Sequence, residues 1–362
     1  MIRLDGSFGE GGGQIVRTAL ALSTITGIPF EVEGIRKGRC DSGLKAQHLH
    51  CIRALAEMGA RCEGAELGSG HIVFHPGSVP SRTLSVDVGT AGSVTLLLQA
   101  LLLPVLFADG KFRLRLTGGT DVPWSEPYDY LKHVFLPHVA RFAESVELNL
   151  DRRGYYPRGG GRIELSVSPR FRRTDFGSFE EFRKMVRDGC PDVTLMEQGR
   201  FAGIRGISHA SLDLQKAEVA ERQSSAARRI LSGRGPVRID SFYSDSLSAG
   251  SGICLWAVFL NSMDEVDSFN PVVVGGDSLG AKGRKAEDVG AEAARALSSV
   301  IDSGAPVDPF LADQLVPFLA LAGGSFRASK ITPHCLTNVY VVEQFLGKSF
   351  EVDAGNKVIR AL

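Results

Sequence analysis

The 362-residue sequence has few cysteines, no net charge and no long uninterrupted apolar run. Its six cysteines form no Cys-x-x-Cys pair, which argues against a zinc site. Their scatter, and the lack of a signal-peptide pattern, lead us to expect a cytoplasmic protein in a reducing compartment. The longest apolar stretch, 94–108, contains Gln99 and Pro104 and is too short to span a bilayer. We therefore expect a buried helix there and no membrane association.

Because the chain has no net charge, its overall charge would not attract a nucleic acid. With 41 basic and 41 acidic residues, only a local basic patch could attract a polyanion. Two stretches qualify, 36–45 and 152–162, and the second interleaves Tyr155 and Tyr156 with its arginines. Arginines bind phosphate oxygens, so the first stretch suits phosphates. In the second, aromatic rings that stack on bases accompany the basic residues, which suits single-stranded nucleic acid. A solvated charged face and a hairpin turn are the alternatives for the first and the second stretch, respectively.

A glycine-rich stretch near the N-terminus, "DGSFGEGGGQIVR" at 5–17, matches neither common nucleotide-binding motif. Gln14, where a Walker loop would carry its lysine, excludes that motif, and the glycine spacing does not fit a dinucleotide loop. A tight turn before a buried helix is one interpretation. The other is an anion and metal site, because a carboxylate at Glu10 would lie beside a helix N-terminus. Glu10, Gln14 and Arg17 are spaced to share one edge of the first helical turns.

Three segments that begin near residues 9, 89 and 307 are weak copies of one unit. Each has a turn, an apolar helix, a strand and a second helix, which predicts an α/β (α+β) fold with helices on the sheet faces. Residues 173–278 interrupt the second and third copies and change in character. We therefore predict a main domain, 1–172 and 279–362, and an inserted small α/β domain, 173–278. The stretch 275–283 suits either a return linker or a phosphate-contacting loop.

Two further stretches contain candidate binding residues. In "GGTDVPWSEPYDY", Pro123, Trp124, Pro127 and Tyr130 could form a flat apolar wall for a base, or only a rigid loop. In "KITPHCLTN", we place His334 at the end of a strand. By pattern alone a lone histidine favours a structural role, and no nearby acid completes a triad, so hydrolase chemistry is poorly supported.

Taken together, these stretches resemble the RNA 3'-terminal phosphate cyclase family. The resemblance covers most of the chain outside 173–278, and it implies a fold of three repeated βαβαβ-type units with a smaller inserted α/β domain. The matching pieces are "DGSFGEGGGQIVR", "IRKGRCDSGLKAQHL", "GTAGSVTLLLQ", "GGTDVPW", "RRGYYPRGGG", "FLADQLVPFLALAGG" and "HCLTNVYVVEQFL".

The resemblance also implies a reaction. A histidine attacks the α-phosphorus of ATP and forms a covalent histidine–AMP, which passes AMP to the 3'-phosphate end of an RNA. The neighbouring 2'-hydroxyl then closes a 2',3'-cyclic phosphate and expels AMP. A divalent cation, magnesium or manganese, assists. RNA 3'-phosphate ends are the expected partners, and a homo-oligomer is possible.

Carried over by position, the resemblance makes His334 the nucleophile and Glu10 the metal ligand. The nucleotide would meet Gln99, Asp313, Gln314, Arg17 and Gln47, with adenine stacked between Phe310 and Pro127. The remaining polar set, assigned to RNA or phosphate oxygens, comprises Arg36, Arg39 and His48.

Two other functions are open to this sequence. A cyclase-like ribosome-assembly factor without catalysis would lack the nucleophile, so His334, Glu10 and Asp313 together argue against it. An enolpyruvyl transferase would need a lysine near the N-terminal turn, where this chain has Glu10 and Gln14. One departure is the segment 176–192, which is longer than we expect at the entry to the inserted domain.

Overall fold

In the computed structural model of the protein, which describes residues 1–9 and 11–362, helices and strands alternate from the start of the chain. The first unit begins with the strand β1 (Ile2–Asp5), and a glycine turn leads from it into the helix α1 (Gln14–Thr26), which is buried along its whole length. Its strands form a sheet in the order β1-β2-β4-β3. The elements are β1 (Ile2–Asp5), α1 (Gln14–Thr26), β2 (Phe30–Glu33), α2 (Ala46–Ala56), β3 (Arg61–Glu63) and β4 (His71–His75).

The second unit repeats this arrangement. Its strand β6 alternates buried apolar and exposed polar side chains, so one face packs against the core. The predicted buried helix at 94–108 is confirmed as α3, capped by the Ser93 hydroxyl, which accepts the Leu96 N–H at 3.2 Å. The elements are β5 (Thr83–Asp87), α3 (Val94–Leu106), β6 (Phe112–Gly118), α4 (Tyr128–Tyr130), a π-helix (Leu131–Phe135), α5 (Leu136–Val139), a 3-10 turn (Ala140–Phe142), β7 (Ala143–Arg152) and β8 (Gly161–Pro169).

A third sheet follows, in the order β11-β10-β12-β13, and helices α7 and α8 pack against it. Its apolar core, around Ile204, Leu255 and Leu297, is separate from the core of the rest of the chain. The domain boundaries at 173 and 278 stay predictions. The elements are α6 (Phe179–Gly189), β9 (Val193–Leu195), β10 (Arg200–Ser211), α7 (Val219–Leu231), β11 (Val237–Ser244), β12 (Ser251–Leu260), β13 (Val272–Leu279) and α8 (Ala286–Asp302), with 3-10 turns at Arg173–Asp175 and Leu212–Ala217.

The last unit completes a sheet in the order β15-β16-β14-β9. Strand β9, which precedes the third sheet in sequence, pairs in parallel with β14. Helix α6, in the unexpectedly long segment 176–192, packs Phe179, Phe182 and Val186 into the main core. The elements are α9 (Pro309–Ala322), β14 (Gly324–Arg327), α10 (Pro333–Leu346), β15 (Phe350–Asp353) and β16 (Val358–Ala361).

The fold prediction is confirmed in class, a mixed α/β (α+β) chain of four-stranded sheets covered by helices. The placement of His334 at a strand end is wrong, because the residue lies in the first turn of α10. Thr332 caps this helix by accepting the Cys335 N–H at 3.0 Å, and Pro333 occupies the first helical position. Within the described residues, no helix is long and apolar enough to cross a membrane.

Candidate active site

A cavity of about 690 Å³ opens where four helices begin. Gln14 of α1, Gln47 of α2 and His334 of α10 line it, as does Ser93, the cap of α3. The N-terminal end of a helix carries unpaired N–H groups and the positive end of the helix dipole, so it favours anions. Four such ends on one cavity make it suited to a polyanion such as a nucleotide or an RNA end.

His334 is half-buried and lies against the glycine turn before α1. Gln14 Nε2 donates to the His334 carbonyl oxygen at 3.1 Å, which fixes the start of α10 on the start of α1. A Cβ built on Gly12 would lie 3.7 Å from His334 Cε1 and 3.9 Å from Arg39 Nη2. The imidazole and the Arg39 guanidinium therefore flank the same glycine, at the anion-binding end of two helices.

Gly13 allows a second histidine to approach the turn. A Cβ on Gly13 would collide with the ring of His48 and lie 3.2 Å from Arg17 Nη1, so no other residue fits there without rearrangement. His48 is fully buried, and its Nδ1 accepts the Lys45 N–H at 2.9 Å, which places the ring proton on Nε2. Burial, together with the charges of Arg17, Arg36 and Lys45, lowers the pKa of His48 to about 3. It is a neutral donor beneath the turn.

A hydrogen-bonded chain crosses the cavity wall from Arg17 to Glu126. Arg17 Nε donates to Gln99 Oε1 at 3.2 Å, and Gln99 Nε2 donates to Glu126 Oε2 at 3.4 Å. Burial lowers the pKa of Arg17 and raises the pKa of Glu126. An arginine keeps its charge in proteins, so Arg17 places a buried positive charge beside the cavity. The Gln99 amide is oriented between the two charged groups.

The loop from β2 to α2 supplies the other cations. Arg36 has a left-handed backbone (φ 57°), and its guanidinium donates to the Asp41 carbonyl oxygen at 3.2 and 3.4 Å. Lys45 Nζ lies 3.8 Å from the Asp41 carboxylate. Arg36, Arg39 and Lys45 all line the cavity. The basic stretch 36–45, for which a solvated face was one alternative, thus contributes three charged side chains to the cavity.

Asp313 and Gln314, in α9, contribute a carboxylate and an amide to the lining. The Thr332 hydroxyl donates to the Asp313 carboxylate at 2.5 Å, which joins α9 to the cap of the helix that carries His334. The Gln314 amide is buried, and neither its nitrogen nor its oxygen has a hydrogen-bond partner among the described residues. An unpaired amide on the lining can both donate to and accept from a ligand bound in the cavity.

Three of the predicted site residues that the structure describes, Phe310, Pro127 and His48, are not among those that line the cavity. Phe310 is 48% exposed, and its ring stands edge-on to Tyr130 with centroids 6.2 Å apart. Pro127 is buried at the start of α4. Neither is among the residues that line the cavity. Glu10, the predicted metal ligand, lies outside the described residues.

The sequence did not reveal a buried ionic cluster behind the cavity. Arg153 Nη1 lies 3.1 Å from the Asp121 carboxylate and its Nη2 lies 2.7 Å from that of Asp129. His209, from β10, adds an Nε2 at 3.2 Å from Asp121. Arg153 and His209 hold the pKa of Asp121 far below its usual range, although burial opposes them. No local pattern signals this cluster, because its members are separated by up to 88 positions (from 121 to 209).

The carboxylates near the cavity bear on metal binding. Asp41, Glu126 and Asp313 line it and offer the hard oxygen ligands that magnesium and manganese prefer. Two groups of described residues bring three possible ligands together, Glu31–Glu33–His71 and Asp121–Asp129–His209, and neither lines this cavity. In the second group, Arg153 already supplies a positive charge to both carboxylates.

Comparison with known proteins gives matches over nearly the whole chain. The family model described as RNA 3'-terminal phosphate cyclase matches residues 8–352. The chain is 45% identical to the RNA 3'-terminal phosphate cyclase of Pyrococcus furiosus over 98% of this chain and 96% of that protein. Identity to the proteins of the same name from Thermococcus onnurineus and Archaeoglobus fulgidus is 47% and 42%, over 98% and 99% of this chain and 96% and 99% of theirs.

Proposed function

The chain belongs to the RNA 3'-terminal phosphate cyclase family, and we propose that it converts the 3'-terminal phosphate of an RNA into a 2',3'-cyclic phosphate in a reaction that consumes ATP. One observation carries the proposal. His334 lies at a cavity onto which four helix N-termini open, and it flanks Gly12 together with Arg39. This arrangement offers a nucleophile and positive charge at a site suited to phosphates.

In the first step, a nitrogen of the His334 imidazole attacks the α-phosphorus of ATP. A phosphorus–nitrogen bond forms, the bond to the bridging oxygen breaks, and pyrophosphate leaves. Neutral imidazole is a good nucleophile near neutral pH. Arg17 and Arg39 offset charge on the phosphates, and the Gln314 amide, which has no hydrogen-bond partner among the described residues, supplies hydrogen bonds to the nucleotide.

In the later steps, an oxygen of the RNA 3'-phosphate displaces His334 from AMP and forms an anhydride. The 2'-hydroxyl of the same ribose then attacks the 3'-phosphorus, loses its proton and expels AMP. A phosphate monoester is a poor electrophile, and adenylation gives it a leaving group. Arg36 and Lys45, on the loop before α2, supply positive charge for the RNA phosphate.

The nucleotide and metal contacts extend this proposal. Adenine stacking between Phe310 and Pro127 remains a prediction, as does the role of Glu10. A divalent cation would reduce the repulsion between ATP phosphates and an attacking group. The carboxylates of Asp313 and Glu126 are described groups of the right chemistry to help hold it. A cytoplasmic location and a homo-oligomer also remain predictions.

The activity is tested with an oligoribonucleotide labelled at its 5' end and carrying a 3'-phosphate. Incubation with ATP and magnesium or manganese should make the terminal phosphate resistant to alkaline phosphatase, and brief acid treatment should open the ring and restore sensitivity. An oligonucleotide ending in a 3'-hydroxyl is the control and should not change. A terminal phosphate that stays sensitive to phosphatase at every metal and ATP concentration would overturn the proposal.

A further inference from the structure

We infer that Trp124 and Tyr156 form a stacking subsite for the bases of a single-stranded RNA whose 3'-phosphate lies in the cavity. The inference rests on the proposed function and extends it, because it assigns the part of the protein that holds the RNA chain. Both aromatic side chains line the cavity that contains His334. They come from two loops, between β6 and α4 and between β7 and β8.

The exposure of these rings is unusual for their size. Trp124 is 96% exposed and Tyr156 is 70% exposed, whereas Trp256, the other tryptophan, is 7% exposed. Trp124 also has a left-handed backbone (φ 64°), a conformation that is uncommon for a bulky residue. An indole held open to solvent at a cavity mouth, on a strained backbone, does not stabilise the core. Flat exposed aromatic faces are what sequence-tolerant binding of single strands requires.

A shared set of buried contacts fixes the two loops to each other. The Thr120 N–H donates to the Gly154 carbonyl oxygen at 2.9 Å, and the Gly154 N–H donates back to the Thr120 hydroxyl at 2.9 Å. One residue further along, Asp121 pairs with Arg153. Trp124 and Tyr156 follow this pair by three residues each. These buried contacts therefore hold the two loops, and the aromatic residues that follow on them, in a fixed relative position.

The third sheet and the loop between β11 and β12 contact the loop between β7 and β8, which carries Tyr156. The Tyr155 hydroxyl lies 2.8 Å from His209 Nδ1 of β10, and Gly250 packs against the Tyr155 ring. The Arg158 N–H donates to the Ser248 hydroxyl at 3.1 Å. These contacts hold the loop that presents Tyr156, so the sheet of β10 to β13 helps to position the proposed subsite.

The charge pattern favours an RNA strand over the adenine of ATP. Arg158 and Arg162 are exposed on and beside the same hairpin, where they can follow a phosphate backbone that leaves the cavity. An indole that is almost fully open to solvent is placed for the part of a ligand that continues outward.

Fluorescence provides the direct test, because Trp256 is buried against the His133 ring, 4.2 Å between centroids, and only Trp124 is open to a stacking base. The probe is a short single-stranded oligoribonucleotide with a 3'-phosphate, titrated without ATP. We expect saturable quenching in the native protein and its loss in Trp124→Phe, which keeps only Trp256. Quenching by ATP alone, without quenching by the RNA, would overturn the assignment in favour of nucleotide stacking.

Binding and kinetics provide the second test. Trp124→Ala should weaken RNA binding and raise KM for RNA by on the order of tenfold, with a smaller change in kcat, and Trp124→Phe should restore most of the affinity. The matched control is Phe242→Ala, a 53% exposed aromatic away from the cavity, which should bind RNA normally. Unchanged RNA affinity in Trp124→Ala would contradict the subsite. If RNA quenches Trp124 but no cyclic phosphate ever forms, the subsite stands and the proposed reaction fails.

Discussion

At the scale of single residues, the active-site geometry depends on two glycines, which have no Cβ and so leave room for neighbouring side chains. Gly12 and Gly13 let His334, His48 and Arg17 close around one turn of backbone. The sequence predicted a special role for the glycine stretch, but it could not identify which side chains would approach it. His48 and His334 are almost three hundred positions apart in the chain, and only the fold brings them to adjacent glycines.

Gly13→Ala should therefore disturb both stability and activity. The added methyl group meets the His48 ring and Arg17, so we expect a loss of about 1–3 kcal/mol in the free energy of unfolding and a severe loss of ATP-dependent activity. Urea unfolding and the cyclisation assay measure the two effects. Gly38→Ala is the matched control in a nearby loop, since a Cβ there has no neighbour within 4 Å. Equal behaviour of the two variants would contradict the packing argument.

Gln314→Leu separates ligand binding from stability. The native amide is buried without a hydrogen-bond partner among the described residues, so replacing it with an apolar side chain of similar size should leave the unfolding free energy unchanged or raise it by about 1 kcal/mol. The same change should raise KM for ATP by roughly tenfold, because one or two hydrogen bonds to the nucleotide are lost. A less stable variant with normal KM for ATP would show that the amide has only a structural role.

At the scale of helices and strands, the sequence predicted the elements better than it predicted which side chains meet at the active site. Apolar spacing identified α1 and α3, and the three copies identified the alternation of helices and strands. His334 was misplaced because "SKITP" looks like part of a strand, whereas the Thr332 cap and Pro333 start a helix. That difference matters for function, since a helix N-terminus attracts phosphates and the end of a strand does not.

Helix α5 carries a histidine that should make folding sensitive to acid. His138 is buried, and burial with the charge of Arg141 lowers its pKa to about 3, against about 6.5 when unfolded. The unfolded chain thus binds a proton that the folded chain does not, so stability is full above pH 6.5 and falls as the pH drops towards 3. When the pH is lowered from 7 to 5, the free energy of unfolding of His138→Phe should fall by about 2 kcal/mol less than that of the native protein.

Urea unfolding at a series of pH values measures this difference. His75→Phe, a change at an exposed position on β4, is the control and should keep the pH dependence of the native protein. His48 contributes in the same direction, since its pKa is also lowered to about 3, so some acid sensitivity should survive in His138→Phe. An identical pH dependence in His138→Phe and the native protein would contradict the assignment.

At the scale of the whole molecule, a buried ionic cluster joins the second unit to the sheet of β10 to β13. Asp121, Arg153 and Asp129 come from the second unit, and His209 comes from β10. The sequence predicted an inserted α/β segment but not how it attaches, because buried charges at distant positions leave no periodic pattern. Only the three-dimensional arrangement shows that the attachment lies directly behind the loops of Trp124 and Tyr156.

Removing one charge from this cluster should destabilise the protein strongly. Asp121→Asn leaves Arg153 with one of its two carboxylates, and we expect a loss of about 3–5 kcal/mol in unfolding free energy. Glu287→Gln, which breaks the exposed pair of Glu287 with Arg222 between α8 and α7, is the control and should cost much less. Urea unfolding midpoints measure the loss of stability in the two variants. Similar losses would show that the buried cluster is not a principal attachment.

The most direct test of the proposed chemistry uses ATP labelled on its α-phosphate, a divalent cation and no RNA. After denaturation, the native protein should carry label that survives base and is lost in acid, as expected for a histidine–AMP phosphoramidate. His334→Ala should carry none while it unfolds at nearly the same urea concentration, because the native side chain is only half-buried. Label on His334→Ala would contradict His334 as the nucleophile. A folded native protein that binds RNA but takes up no label would instead indicate a non-catalytic RNA-binding role.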